Sequence, residues 1–246
     1  PPTPISPREL EVVLTDDKRP AAFSWVGVSG VSRYRLELSS TAAFLEASLR
    51  AAGIRTGFYT SPHLVDVRER IRVDGALIEQ EAFAGALTAV RQAAGEAESA
   101  GEAEGPPTFF EALTLAAFHA FAQMEIQLAV VEVGLGGRLD CTNILEPSLS
   151  VVTSIGLDHQ EYLGPTLTSI AREKAGIFRP GIPALCGELP AEAAAAMREE
   201  AELAGASLLS MGDCTTSNGE DSWTLGSPEG EIILPPPGLL GAHQYA

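Results

Sequence analysis

An α/β fold, a mostly parallel sheet flanked by helices, is what the order of apolar runs in this chain predicts. Three observations carry the expectation. Continuously apolar runs recur at residues 128–133 (LAVVEV), 149–155 (LSVVTSI) and 182–186 (IPALC), the pattern of strands covered on both faces. Helix-period segments punctuate them. The stretches TSPHL, EVGLGGRLD and SIGLDHQEYLG each follow a strand, the end at which ligands gather in such sheets.

Taken in order, residues 1–33 form an atypical N-terminal segment. Its first 20 residues hold five prolines and no cationic-then-apolar order of a secretory signal. TAAFLEASLRAAG (41–53) has helical periodicity and ends on Gly53 as a stop. IRTGFYT (54–60) is a short β-rich run, interrupted by the proline of SPHL. Residues 78–94 are helical and are expected to fade into GEAESAGEAEG (95–105), read as a solvated connection. Thr108 and Glu111 stand at capping-box spacing and open the next helix. After the strand at 149–155, SIAREKAGI supplies a helix before the strand at 182–186. A further helix at 190–204 leads to ASLLSM, and the turn Ser227–Gly230 implies a small β hairpin ending in EIIL. No internal repeat is seen.

The net charge of −17 argues against a nucleic-acid partner, whose binding relies on Lys and Arg at phosphates. Three cysteines without a C-x-x-C pair suggest neither a disulfide framework nor zinc, which favours a reducing cytosol. No apolar stretch approaches the roughly 18 residues of a membrane span, so no membrane partner is expected.

VVEVGLGGRLDCTNIL (130–145) raises the chemical question. A dinucleotide fingerprint fails because Leu139 stands where the third glycine belongs, and a phosphate loop fails because the stretch has no lysine. Glu132 near the end of an apolar strand needs a cation, a metal or hydrogen-bond donors; a paired structural carboxylate is the alternative. His159 reads as a metal ligand or a loop histidine. Lys174 would ordinarily be a solvated surface lysine. Arg138 and Asp140 could simply close the glycine turn as an ion pair, Glu111 could be only a cap, and Ser61 only a turn residue before Pro62.

In combination these stretches resemble the folylpolyglutamate synthase/dihydrofolate synthase family of the Mur ligase superfamily, from about Thr41 to Gln244. The matching segments are AAFLEASLRAAGIRTGFYTSPHL, ERIRVDG, TFFEALTLAAF, the glycine-loop signature, VVTSIGLDHQEYLG and SIAREKAGIFRPGIPAL. The resemblance implies a P-loop NTPase-like Mur ligase central domain over 34–241, with 242–246 starting a passage to a further domain. It implies Ser61, Glu132 and His159 as magnesium ligands and Lys174 as a carbamylated, catalytic lysine. Thr108, Phe109, Phe110, Glu111 and Arg138 are implied on the substrate side. The implied reaction is ATP-dependent addition of L-glutamate to dihydropteroate or folate through an acyl phosphate, by a cytoplasmic monomer.

The resemblance breaks at residues 34–41, YRLELSST. Only Ser40 and Thr41 survive from the family's phosphate loop; Leu38 replaces its lysine, and Glu37 and Ser39 replace flanking glycines. Glycine lets backbone amides approach phosphate, and the lysine supplies charge, so ATP use should suffer. The expectation is an incomplete chain, inactive or nearly so. Two alternatives stand beside it: a non-catalytic pterin-binding remnant, and another Mur-type amide ligase acting on a cell-wall precursor, against which TFFEALT and SPHL count.

Overall fold

The computed structural model describes residues 41–211, together with the backbone of strands at 12–14, 215–218, 223–227 and 230–234. Ser40 and most of the altered phosphate-loop stretch, with the passage after 234, lie outside the described residues. The fold is α/β, as expected. An eight-stranded sheet runs in the order β4-β3-β2-β5-β1-β6-β7-β8. Its strands are β1 (Val12–Leu14), β2 (Thr56–Tyr59), β3 (Ile71–Val73), β4 (Ala76–Leu77), β5 (Leu128–Glu132), β6 (Ser150–Val152), β7 (Pro183–Cys186) and β8 (Ser207–Ser210). From β2 to β8 across the sheet every pairing is parallel; β3 and β4 are antiparallel at one edge.

Helices cover both faces, which is why the strands read as continuously apolar. Phe58, Val130 and Val151 cluster with Ala42 of α1 (Thr41–Ala51). Tyr59 and Val131 are the next residues along their strands and therefore point to the other face. There they join α2 (Gln80–Ala100) and α3 (Phe109–Gln123). Val152, Ala184 and Cys186 pack with α5 (Leu167–Ala175) and α6 (Ala191–Ala204). A one-turn helix, α4 (Gln160–Leu163), precedes α5. No helix among the described residues is long and apolar enough to cross a membrane.

The expected elements recur with three differences. The segment 95–105 is not a connection throughout: α2 continues through Ala100 and stops at Gly101, whose φ of 75° ends the helix. Alanine and glutamate are good helix formers, and acidity alone does not break a helix. IRVDGAL (71–77) forms the β3–β4 hairpin, turning on Asp74 and Gly75 at φ 49° and 80°; an Asp-Gly pair between β-prone residues was the available signal. The third difference is β1. Val12–Leu14, inside the atypical N-terminal segment, pairs with both β5 and β6 at the middle of the sheet. The expected hairpin is present as β10 (Trp223–Ser227) against β11 (Gly230–Leu234), and β9 (Thr215–Asn218) adds a third strand.

Candidate functional site

Parallel pairing of β2 and β5 sets Tyr59 opposite Val131, so the next residues, Thr60 and Glu132, arrive together at the carboxyl ends. Glu132 is buried, and its Oε2 accepts from the Thr60 hydroxyl and from the Ser61 amide at 3.3 Å. Those donors offset the cost of removing a carboxylate from water. Thr60 was not singled out from the sequence, although it immediately precedes Ser61 in TSPHL. Oxygen-rich surroundings of this kind suit a hard divalent cation.

His159 lies after β6 in a left-handed conformation, φ 48°, with its side chain 43% exposed. Its amide donates to Asp158 Oδ1 at 2.7 Å and its ring Nε2 sits 3.6 Å from Asp158 Oδ2. Ser61 and Glu132 are thus in direct contact, whereas the His159 ring faces the carboxylate of its own neighbour, Asp158. Among the described residues no group of three or more His, Cys, Asp and Glu is arranged to hold a metal. Lys174 is 1% exposed on α5, so its ordinary reading as a solvated surface lysine is wrong. Ile170, Ala171 and Ala175 share its helix and are buried too, which draws the lysine stem into the core.

The glycine loop is closed by the Asp140 carboxylate, not by an Arg138–Asp140 ion pair. Asp140 Oδ2 accepts from the amides of Gly134 and Leu135, and Oδ1 from the amide and hydroxyl of Thr142. Arg138 turns outward to α5, donating to Glu173 Oε1 at 2.8 Å, and that carboxylate raises the guanidinium pKa further. Gly134 is needed for close approach: a Cβ there would sit 2.4 Å from the Phe110 ring.

Between this loop and the start of α3 lies a cleft of about 380 Å³, lined among others by Thr108, Phe110, Glu111, Leu135, Asp140 and Cys141. Thr108 and Glu111 form the predicted capping box, with the Thr108 amide and hydroxyl donating to Glu111 Oε2 at 2.7 and 2.6 Å. The Thr108 hydroxyl, then its amide, hold the Glu111 carboxyl below its ordinary pKa. Phe110 meets Tyr59 ring to ring at 6.1 Å, while Phe109 is exposed beneath the Arg70 guanidinium and does not line the cleft. Three of the five substrate-side residues expected, Thr108, Phe110 and Glu111, therefore converge; Phe109 and Arg138 stand outside the lining. Tyr162, Glu173 and Cys141 also line it and were not anticipated. Burial raises the pKa of the Cys141 thiol, which donates to Thr114 Oγ1 at 3.2 Å, so it is no activated nucleophile. Thr41 begins α1 and is exposed.

No family model matches the chain. It is 44% identical over 164 residues to a mitochondrial folylpolyglutamate synthase of Bos taurus, covering 66% of this chain and 28% of that protein. It is 42% identical over 169 residues to the dihydrofolate synthase/folylpolyglutamate synthase of Escherichia coli, covering 69% of this chain and 36% of that protein. Among solved structures, E. coli FolC in complex with DHPP and ADP superimposes with a TM-score of 0.69 at 39% identity, over 81% of this chain and 46% of that one. The chain thus spans about a third of these curated relatives.

Proposed function

The chain is homologous to the folylpolyglutamate synthase/dihydrofolate synthase family over about two thirds of its length, and from that kinship we propose that it carries the pteridine-side half of an ATP-dependent glutamate ligase. The observation that carries the reading is the cleft where the capped start of α3 meets the glycine loop that follows Glu132. Phe110 and Leu135 supply apolar walls for a flat ring system, and Glu111 supplies an acceptor for its N–H groups.

The reaction would join the substrate carboxylate to the amine of L-glutamate through an acyl phosphate, with ATP as phosphoryl donor. Glu132 and Ser61, with His159 from the next strand end, would hold a magnesium ion, which neutralises phosphoryl charge when bound. Glu132 enters with its carboxylate already oriented by Thr60 and Ser61. Lys174, buried on α5, would act as a carbamate, an anion supporting the cation site by charge and position. The cytoplasm is the proposed compartment and a monomer the proposed state. The central domain is proposed to span 34–241.

One observation favours a second reading, pteridine binding without ATP turnover: YRLELSST lacks the Gly-Lys-Gly core of the phosphate loop. Calorimetry with dihydropteroate separates the two. Binding that tightens with ATP and magnesium, accompanied by glutamate-dependent product, supports the ligase; binding indifferent to both supports the remnant. No binding under either condition rejects the cleft assignment.

A further inference from the structure

The glycine loop is fastened at its far end as well as at Asp140. Asn143 donates through Nδ2 to the carbonyls of Arg138 and Gly176 at 3.1 and 3.0 Å. Arg179 donates to the Asn143 carbonyl and Oδ1 at 2.8 and 2.7 Å, and to the carbonyls of Gly176 and Phe178 at 3.1 Å each. The Arg138 amide donates to the Glu173 carbonyl at 2.9 Å. The two backbones are nearly in contact: a Cβ on Gly176 would lie 2.5 Å from the Arg138 Cα. Gly176 has an ordinary helical φ of −58°, so its glycine serves proximity rather than an unusual turn.

This junction joins two walls of the cleft. The loop residues on one side of it include Leu135, Leu139 and Asp140, and Glu173 of α5 lies on the other, next to Lys174. We infer that Asn143 and Arg179 are positioning residues: a latch that fixes the cleft's glycine wall against the end of α5. Neither residue lines the cleft itself, and both act through the loop and the end of α5. Arginine suits the task because its planar fork can serve several carbonyls at once, which a lysine ammonium cannot do in the same geometry.

The affinity arm of the test rests on the pteridine reading; the exchange arm does not. Arg179→Ala, Arg179→Lys and Asn143→Ala are compared with the unaltered chain, with folic acid as probe and amide hydrogen exchange as the second readout. The latch predicts at least tenfold faster exchange at residues 134–141 in the two alanine variants, with α6 amides unchanged, and at least fivefold weaker folic acid binding, partly restored in Arg179→Lys. Faster exchange spread evenly over α6 would mean plain destabilisation and overturn the inference, as would unchanged exchange at 134–141 or affinity within twofold. Should Arg179→Ala not fold, Asn143→Ala decides by the same criteria. Should the unaltered chain bind no folic acid, the functional reading fails, and the exchange result alone decides the latch.

Discussion

Asp140 shows how one side chain can organise a whole loop. Four donors converge on its carboxylate, two of them the amides of Gly134 and Leu135. Asp140→Ala removes the acceptor and leaves those amides without it, so a loss of about 2 kcal/mol in unfolding free energy is expected. Urea denaturation checks this, and a midpoint unchanged from the parent would contradict it. Tyr59 makes a different prediction. It is fully buried, its hydroxyl lies 2.9 Å from Thr114 Oγ1, and burial pushes its pKa up to about 12 from 10.0. A raised folded pKa means the contribution is whole below pH 10, where both states are protonated. It is lost between 10 and about 12, where the unfolded tyrosine ionises first. Relative to Tyr59→Phe, the parent should lose about 3 kcal/mol across that window. Parallel stability curves for the two proteins from pH 9 to 12 would refute it.

At the scale of elements, α3 has two duties in its first turn. Its capping box satisfies backbone donors and also presents Glu111 to the cleft. Thr108→Ala should therefore cost about 1 kcal/mol of stability and also weaken pteridine binding, measured by thermal unfolding and calorimetry together. A stability loss with unaltered affinity would restrict the residue to capping. The capping box was legible in the sequence because its spacing is local. The β3–β4 hairpin could have been read from Asp74-Gly75. The helix α2 outruns its expected end because Glu and Ala, which make up most of residues 95–100, both favour helix.

At the scale of the molecule, the sheet depends on a strand from the atypical N-terminal segment, outside the stretch that carries the family resemblance. β1 pairs on both sides, with β5 and with β6, so it joins the β2–β5 half to the β6–β8 half. Proline at position 13 cannot donate to the ladder and is expected to destabilise the fold by 3 kcal/mol or more. Chemical denaturation of Val13→Pro tests this; an unaltered transition would mean that the N-terminal segment contributes nothing to the sheet.

The sequence by itself determined the fold class, the order of helices and apolar strands, and the list of chemically loaded strand ends, because these follow from periodicity and short-range spacing. It also supplied the capped start of α3, written in Thr108 and Glu111. Only the tertiary structure decided which of those residues meet. It set Thr60 beside Glu132 through strand register, sank Lys174 into the core, and sent Arg138 to Glu173 rather than to Asp140. It also placed Val12–Leu14 at the sheet's centre. Each of those outcomes depends on partners distant along the chain, and pairing over such separations leaves no periodic trace in a single sequence.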